Sequence, residues 1–200
     1  MNRPSGILLA GGASRRFGRP KLVEPLDGAP LFHRPLRALL DSCDDVVIVL
    51  APDAPEPPLP AGSDRVSFVR DQVAHEGPLA GTRVGLDHVR REYAVLVAAD
   101  MPGVNSQLLS LMAERAAVEH KNAVVLRDGD GERPLPAVLM VAPALTLARS
   151  LLERGERRLR ALVSGLEPER LPEAVWIRVD AGGAWRRDVD LPDDLPRETR

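Results

Sequence analysis

Residues 8–21 read LLAGGASRRFGRPK. An apolar run gives way to Gly11 and Gly12, and Arg15, Arg16 and Lys21 follow closely. Paired glycines let a backbone approach a ligand and offer it amide N–H groups. Cations beside such a loop complement a polyanion, so the chemistry suggested is the binding of a phosphate chain. Of the 27 basic residues only Lys21 and Lys121 are lysines. A chain that uses arginine almost everywhere makes Lys21 informative. The stretch is not a Walker A loop, because Arg19 and Pro20 separate Gly18 from Lys21, and it lacks the G-x-G-x-x-G dinucleotide fingerprint. A glycine turn flanked by solvated arginines is the plain alternative.

Four further stretches carry candidate groups. Residues 70–86 hold Asp71 at the end of an apolar run, then GPLAG (77–81), which again offers small residues near backbone amides just before a helical pattern. In LVAADMP (96–102), Asp100 ends an apolar strand pattern and Pro102 stops it. A carboxylate there is placed to hold a divalent cation in a sheet crevice. In ERGERRLRALV (153–163), Arg157, Arg158 and Arg160 gather at a helix start, where cations oppose the helix dipole. An anion partner would explain them, and a solvated face is the alternative. In DVDLPDDL (188–195), Asp188 and Asp190 alternate about Val189 and point the same way if the segment is extended.

Elements to position these groups are legible. Residues 5–10, 45–51, 66–71 and 94–100 are short apolar runs of the kind found in strands buried on both faces. Helical patterns lie between them: 31–43 with Pro35 in its first turn, 79–91, and 106–120 opened by Asn105 or Ser106 as a cap. Alternation of strand and helix predicts an α/β fold with an open, mainly parallel sheet. In such sheets ligands bind beyond the carboxyl ends of the strands, where residues 8–21 and Asp100 would lie. Further on, 122–141 reads as two strands about an Asp-Gly-Asp-Gly turn, with helices near 144–153 and 156–165 and a strand over 174–180. The proline-rich stretch 51–62 reads as a surface connection within one domain spanning 1–200.

Composition bounds the function. A formal net charge of -2 argues against a nucleic-acid binder. A single cysteine, Cys43, rules out an intrachain disulfide and reads as a small buried hydrophobe. No apolar run approaches the roughly 18 residues of a membrane span, and no signal-peptide pattern opens the chain. A cytoplasmic location is the expectation.

The motifs LAGGASRRFGRPK, RDQVAHEGPLAG, ADMP, GERRLRALV and DVDLPDDL stand in an order and spacing that resembles the bacterial molybdenum cofactor guanylyltransferase family, over residues 6 to about 195. The first motif alone marks only the wider nucleotidyltransferase superfamily, and GPLAG with GERR narrows it. Phe17 stands where the family typically has methionine. Asp188, Asp190 and Leu191 stand where it typically has N-x-N-T. The Asp form resembles the relative that attaches cytidine to the same pterin. A cytidylyltransferase or sugar-phosphate nucleotidylyltransferase is therefore one alternative, and a non-catalytic nucleotide-binding adaptor is another.

The resemblance implies a Rossmann-like sheet of the nucleotide-diphospho-sugar transferase type with helices on both faces. It implies transfer of GMP from GTP to the terminal phosphate of molybdopterin, with release of pyrophosphate. Lys21, Arg16 and Asp100 would be catalytic. Leu9, Ala10, Gly11, Gly12, Arg15 and Asp71 would bind the nucleotide together with Lys21 and Asp100, and Gly77, Pro78, Leu79 and Gly81 would frame its base. Arg157, Arg158 and Asp188 would receive the pterin. Mg²⁺ would sit on Asp100 and Asp190. Transient contacts with molybdopterin-delivering and molybdoenzyme-maturation proteins are implied, and contacts with nucleic acid or membrane are not.

Overall fold

A computed structural model describes residues 3–11, 21–71, 77–129, 131–189 and 194. Gly12, Arg15, Arg16, Phe17, Asp190 and Leu191 lie outside that set. In chain order the elements begin with β1 (Ser5–Leu9) and a small hairpin of β2 (Pro25–Leu26) and β3 (Ala29–Pro30). Then come α1 (His33–Ser42), β4 (Asp45–Leu50), β5 (Val66–Arg70), α2 (Pro78–His88), β6 (Tyr93–Ala98) and α3 (Ser106–Val118). The second half contributes β7 (Ala123–Asp128), β8 (Gly131–Met140), α4 (Val141–Glu153), α5 (Leu159–Gly165), β9 (Glu169–Leu171) and α6 (Glu173–Trp176).

The four apolar runs form β5, β4, β1 and β6, one side of a seven-stranded sheet in the order β5-β4-β1-β6-β8-β7-β9. Every strand runs the same way except β8, which is antiparallel to both neighbours. The chain moves outward from β1 through β4 to β5, then crosses back to β6 on the other side of β1. That reversal beside β1 is a topological switch point, and it opens a crevice at the carboxyl ends of β1 and β6.

Alternation along the strands builds two cores. Leu8, Ile48, Val95 and Val97 face one way and meet Leu36 and Leu39 of α1 and Leu108 and Met112 of α3. Ile7, Val47, Val49 and Leu96 face the other and meet Leu79 and Val84 of α2, Ala148 of α4 and Leu159 of α5. The expected helices on both faces are therefore present. Gly85 sets the approach of α2 to β1: a Cβ there would lie 2.6 Å from Ile7 Cγ2. Truncating a core side chain such as Ile7 to alanine would cost about 2–5 kcal/mol.

Local chemistry explains the element ends. Asn105 Oδ1 accepts the Leu108 N–H at 2.9 Å and caps α3. Pro35 is the third residue of α1, inside the first turn. Asp27 and Gly28 both have positive φ, as a two-residue hairpin loop of the Asp-Gly type requires. Residues 51–62 form neither helix nor strand. Cys43 is fully buried, and burial pushes its thiol up to about 12.

One expectation is overturned. Residues 174–180 are not a strand; α6 occupies Glu173–Trp176 and turns follow. Pro172 and Glu173 start the helix, Trp176 buries fully, and the Asp180 carboxylate accepts the Ala184 and Trp185 N–H groups at 3.0 and 3.1 Å to close a turn. The strand that does form is β9, three residues long, added parallel to β7 at the sheet edge. Among the described residues, no helix is long and apolar enough to cross a membrane.

Candidate active site

The carboxyl ends of β1, β4, β5 and β6 meet at the switch point. The Ala10 N–H bonds the Val49 carbonyl at 2.9 Å, and the Ala99 N–H bonds the Leu9 carbonyl at 3.0 Å. The Asp71 N–H bonds the Leu50 carbonyl at 2.9 Å, so Asp71 stands at the same edge. Gly11 is exposed, and a Cβ there would meet only ordinary contact, 3.5 Å from the Ala51 nitrogen. Packing among the described residues does not demand glycine at that position, whereas close approach of a ligand to the backbone would.

Lys21 opens a short 3-10 turn, and its Nζ donates to Asp100 Oδ2 at 2.9 Å. Lys21 is only 8% exposed, while the Asp100 side chain keeps 31%. A buried ammonium paired to a carboxylate that stays about one-third open is a costly arrangement for structure alone. The pair sits between residues 79 positions apart in the chain, on the loop after β1 and the loop after β6. The Asp100 carbonyl also accepts the Val189 N–H at 3.0 Å, which brings the C-terminal segment to this strand end.

The GPLAG turn and the arginine loop touch. Gly77 precedes α2 with φ 88°, and a Cβ there would lie 2.9 Å from the Arg157 carbonyl oxygen. The Leu79 N–H donates to that same carbonyl at 3.3 Å. Gly81 of α2 lies over β1 and β4, and a Cβ there would make ordinary contact with Leu9 Cδ2 and Val49 Cγ1, each at 3.6 Å. Thus Gly77 and the Leu79 N–H touch the Arg157 backbone and Gly81 packs near Leu9, while the Leu79 side chain is fully buried in the core.

The anion facing the arginine cluster belongs to the chain itself. Glu156 Oε2 accepts Arg158 Nη2 at 2.7 Å, and its Oε1 accepts Arg158 Nε at 3.0 Å. Hydrogen bonds from the Arg158 guanidinium, then from the Arg158 and Arg157 backbone N–H groups, hold the Glu156 carboxyl down at about 2. The Arg158 side chain remains 80% exposed and can still meet a second anion.

Asp188 meets a different element, β8. Arg133, on β8, donates from Nη1 to the Arg186 carbonyl at 2.7 Å and to Asp188 Oδ2 at 3.2 Å. Arg186 stacks over Trp176 at 4.6 Å from the ring centroid. A cavity of about 580 Å³ opens here, lined by Arg34, Pro102, Gly103, Arg186, Arg187 and Asp188 among others. Arg157 and Arg158 immediately precede Leu159, which packs in the core with α2 and α4, whereas Asp188 follows Trp185, which packs in the core with α1 and α3. The three residues expected to receive one ligand therefore approach the crevice from two sides.

For a divalent cation, Asp100 is the described candidate. One of its oxygens meets Lys21, and no second partner lies on the carboxylate among the described residues. A half-exposed oxygen donor at a strand end fits a hard cation that keeps waters and completes its shell with phosphate oxygens. No cluster of three or more His, Cys, Asp or Glu side chains that could hold a metal occurs among the described residues. Asp188 pairs with Arg133, and Asp190 lies outside the described set.

Sequence reasoning missed Glu156 and Arg133. Glu156 accepts the N–H groups of Arg157 and Arg158, which precede α5, rather than those of its first turn, so a helix-capping pattern does not reveal it. Arg133 carries no local signal, because its partners lie more than fifty residues away.

Comparison with known proteins agrees with this geometry. Residues 6–171 match the family model described as MobA-like NTP transferase domain. A probable molybdenum cofactor guanylyltransferase of Natronomonas pharaonis is 34% identical over 98% of this chain and 97% of its own. Another, from Mycolicibacterium paratuberculosis, is 32% identical over 85% of this chain and 86% of its own. The crystal structure of molybdopterin-guanine dinucleotide biosynthesis protein A from Archaeoglobus fulgidus superposes with a TM-score of 0.78 at 21% identity, covering 96% of this chain and 94% of that one. The strand-end crevice, the helices on both faces and a match over most of the length make this chain a member of the MobA-like NTP transferase domain family.

Proposed function

We propose that this chain is a molybdenum cofactor guanylyltransferase, with its 200 residues forming one nucleotidyltransferase domain. A terminal phosphate oxygen of molybdopterin attacks the α-phosphorus of GTP. The new P–O bond joins GMP to the pterin phosphate, and the bond to the β-phosphate breaks to release pyrophosphate. The nucleophile is already an anion, so little acid–base chemistry is needed. The protein must hold two polyanions in line and offset their repulsion.

The observation that carries this reading is the Lys21–Asp100 pair, 2.9 Å apart at the switch point. Lys21 would turn its charge to the phosphates when the nucleotide arrives. Gly11, with Gly12, Arg15 and Arg16, would cradle the triphosphate. Leu9, Ala10 and Asp71 would hold the nucleoside at the strand ends, and the Gly77–Gly81 turn would frame the base. Asp100 and Asp190 would hold Mg²⁺, which would supply positive charge to offset that of the phosphates. Arg157 and Arg158 would reach the pterin phosphate from one wall, while Asp188, beside its cavity, would meet the pterin from the other.

Cytidine transfer is the second reading, favoured by Asp188 and Asp190 where the family typically has asparagine. The test is incubation of molybdopterin with Mg²⁺ and either GTP or CTP, followed by mass analysis. Formation of the guanine dinucleotide supports the first reading, and exclusive formation of the cytosine dinucleotide replaces it.

A further inference from the structure

Glu156 has no part in the chemistry above, yet its carboxylate accepts four hydrogen bonds. Its Oε1 takes the Arg157 N–H at 2.8 Å, the Arg158 N–H at 2.9 Å and Arg158 Nε at 3.0 Å, and its Oε2 takes Arg158 Nη2 at 2.7 Å. The backbone that it fastens is the one that touches the GPLAG turn.

The first turn of α2 explains why that contact matters. A helix start leaves N–H groups without intrahelical partners, and a side chain at the cap normally satisfies one of them. Gly77 stands at the cap and has no side chain to offer, and Pro78 has no N–H. The Leu79 N–H is met instead by the Arg157 carbonyl, at 3.3 Å. The same oxygen lies 2.9 Å from where a Cβ on Gly77 would be, so the two backbones fit only with glycine there. The shape of the turn thus depends on where the Arg157 carbonyl is held.

We propose that Glu156 is a positioning residue for the nucleotide: it locks the Arg157–Arg158 backbone, and through the Arg157 carbonyl it sets the Gly77–Leu79 turn that receives the nucleoside. This inference rests on the reading that the turn is part of the nucleotide site. It gives the GERR stretch a second job beyond any contact of its arginine side chains with the pterin. The strongly lowered Glu156 carboxyl accords with a clamp that stays ionised throughout the neutral range.

The test is steady-state kinetics on the full chain, with melting temperature as control. Glu156→Ala should raise the KM for GTP about tenfold or more and leave kcat within about threefold, because the turn is loosened while the phosphate machinery is kept. Glu156→Gln should restore most of the loss, since its amide oxygen still accepts the two backbone N–H groups. Gly77→Ala should give the same KM defect by pushing the Arg157 carbonyl away. The double variant Glu156→Ala with Gly77→Ala should be little worse than the more severe single, as expected for two residues acting through one contact. An unchanged KM in folded Glu156→Ala, or effects that multiply in the double variant, would overturn the proposal. A fall in kcat and melting temperature with no change in KM would overturn it too. If Glu156→Ala does not fold, Glu156→Gln and Gly77→Ala decide the matter by the same KM criterion. Failure of the wild-type chain to use GTP would instead strike at the functional reading, and the KM comparison would then be made with the nucleotide that it does use.

Discussion

Replacing Lys21 with methionine removes a cation while keeping most of the side chain's bulk. The two charges, 2.9 Å apart, attract by roughly 6 kcal/mol at an effective dielectric constant of about 20, before desolvation is subtracted. Removing one partner of a fully buried pair costs about 3–5 kcal/mol, and an exposed pair contributes no more than about 1 kcal/mol. With Lys21 buried and Asp100 one-third open, the loss falls between these limits, at about 1–3 kcal/mol. In a chain of this length that lowers the melting temperature by roughly 3–10 °C, and the protein stays folded at 25 °C. Turnover should fall far more, by about 100-fold or more, because a fixed cation beside the reacting phosphates acts where charge develops. Lys21→Arg should keep the charge and the fold but still lose at least about tenfold in turnover, since a planar guanidinium differs from a compact ammonium in reach and bulk. The assay is pyrophosphate release from GTP with molybdopterin, alongside calorimetric melting. Lys21→Met with turnover within about threefold of wild type would reduce the pair to a structural contact and refute the reasoning.

Three further outcomes are expected. GTP should bind at least about tenfold more tightly than CTP, or about 1.4 kcal/mol, in a calorimetric titration with Mg²⁺; equal affinities would remove the guanine assignment. Removing both side chains in Arg157→Ala with Arg158→Ala should raise the KM for molybdopterin and leave GTP binding nearly intact, because Glu156 can still hold the two backbone N–H groups. A collapse of GTP affinity would instead place those guanidinium groups at the nucleotide. Asp100→Asn should lose most turnover with the fold intact and Asp190→Asn should weaken the Mg²⁺ dependence of GTP affinity while retaining activity; a wild type whose GTP affinity ignores chelator would rule out the two-carboxylate metal site.

The strand ends were legible because buried parallel strands are written as unbroken apolar runs, and the residue after each run must lie at the sheet rim. Asp71 and Asp100 follow from that rule alone. The cap at Asn105 and the turn after β7 were legible for equally local reasons. Residues 174–180 misled because AVWIRVD alternates as a half-buried strand does; the competing signal, Pro172 and Glu173 at a helix start, was the better guide. Strand β9 was hidden because its three residues, Glu169, Arg170 and Leu171, carry no pattern and pair only because β7 offers an edge. In the site, GPLAG and GERR were each visible as motifs, but their contact was not. It runs through the backbones of Gly77, Leu79 and Arg157, and no side-chain pattern encodes it. The same holds for Arg133 and Asp188, which meet across the chain at the mouth of a cavity.

The most direct measurement of the central claim follows the phosphorus atoms. GTP labelled at the α-phosphate, incubated with the protein, Mg²⁺ and molybdopterin, should pass its label into a pterin dinucleotide, while GTP labelled at the γ-phosphate should release its label as pyrophosphate. Label from the α-phosphate that remains in free nucleotide, or γ-label that leaves as single phosphate, would contradict the account.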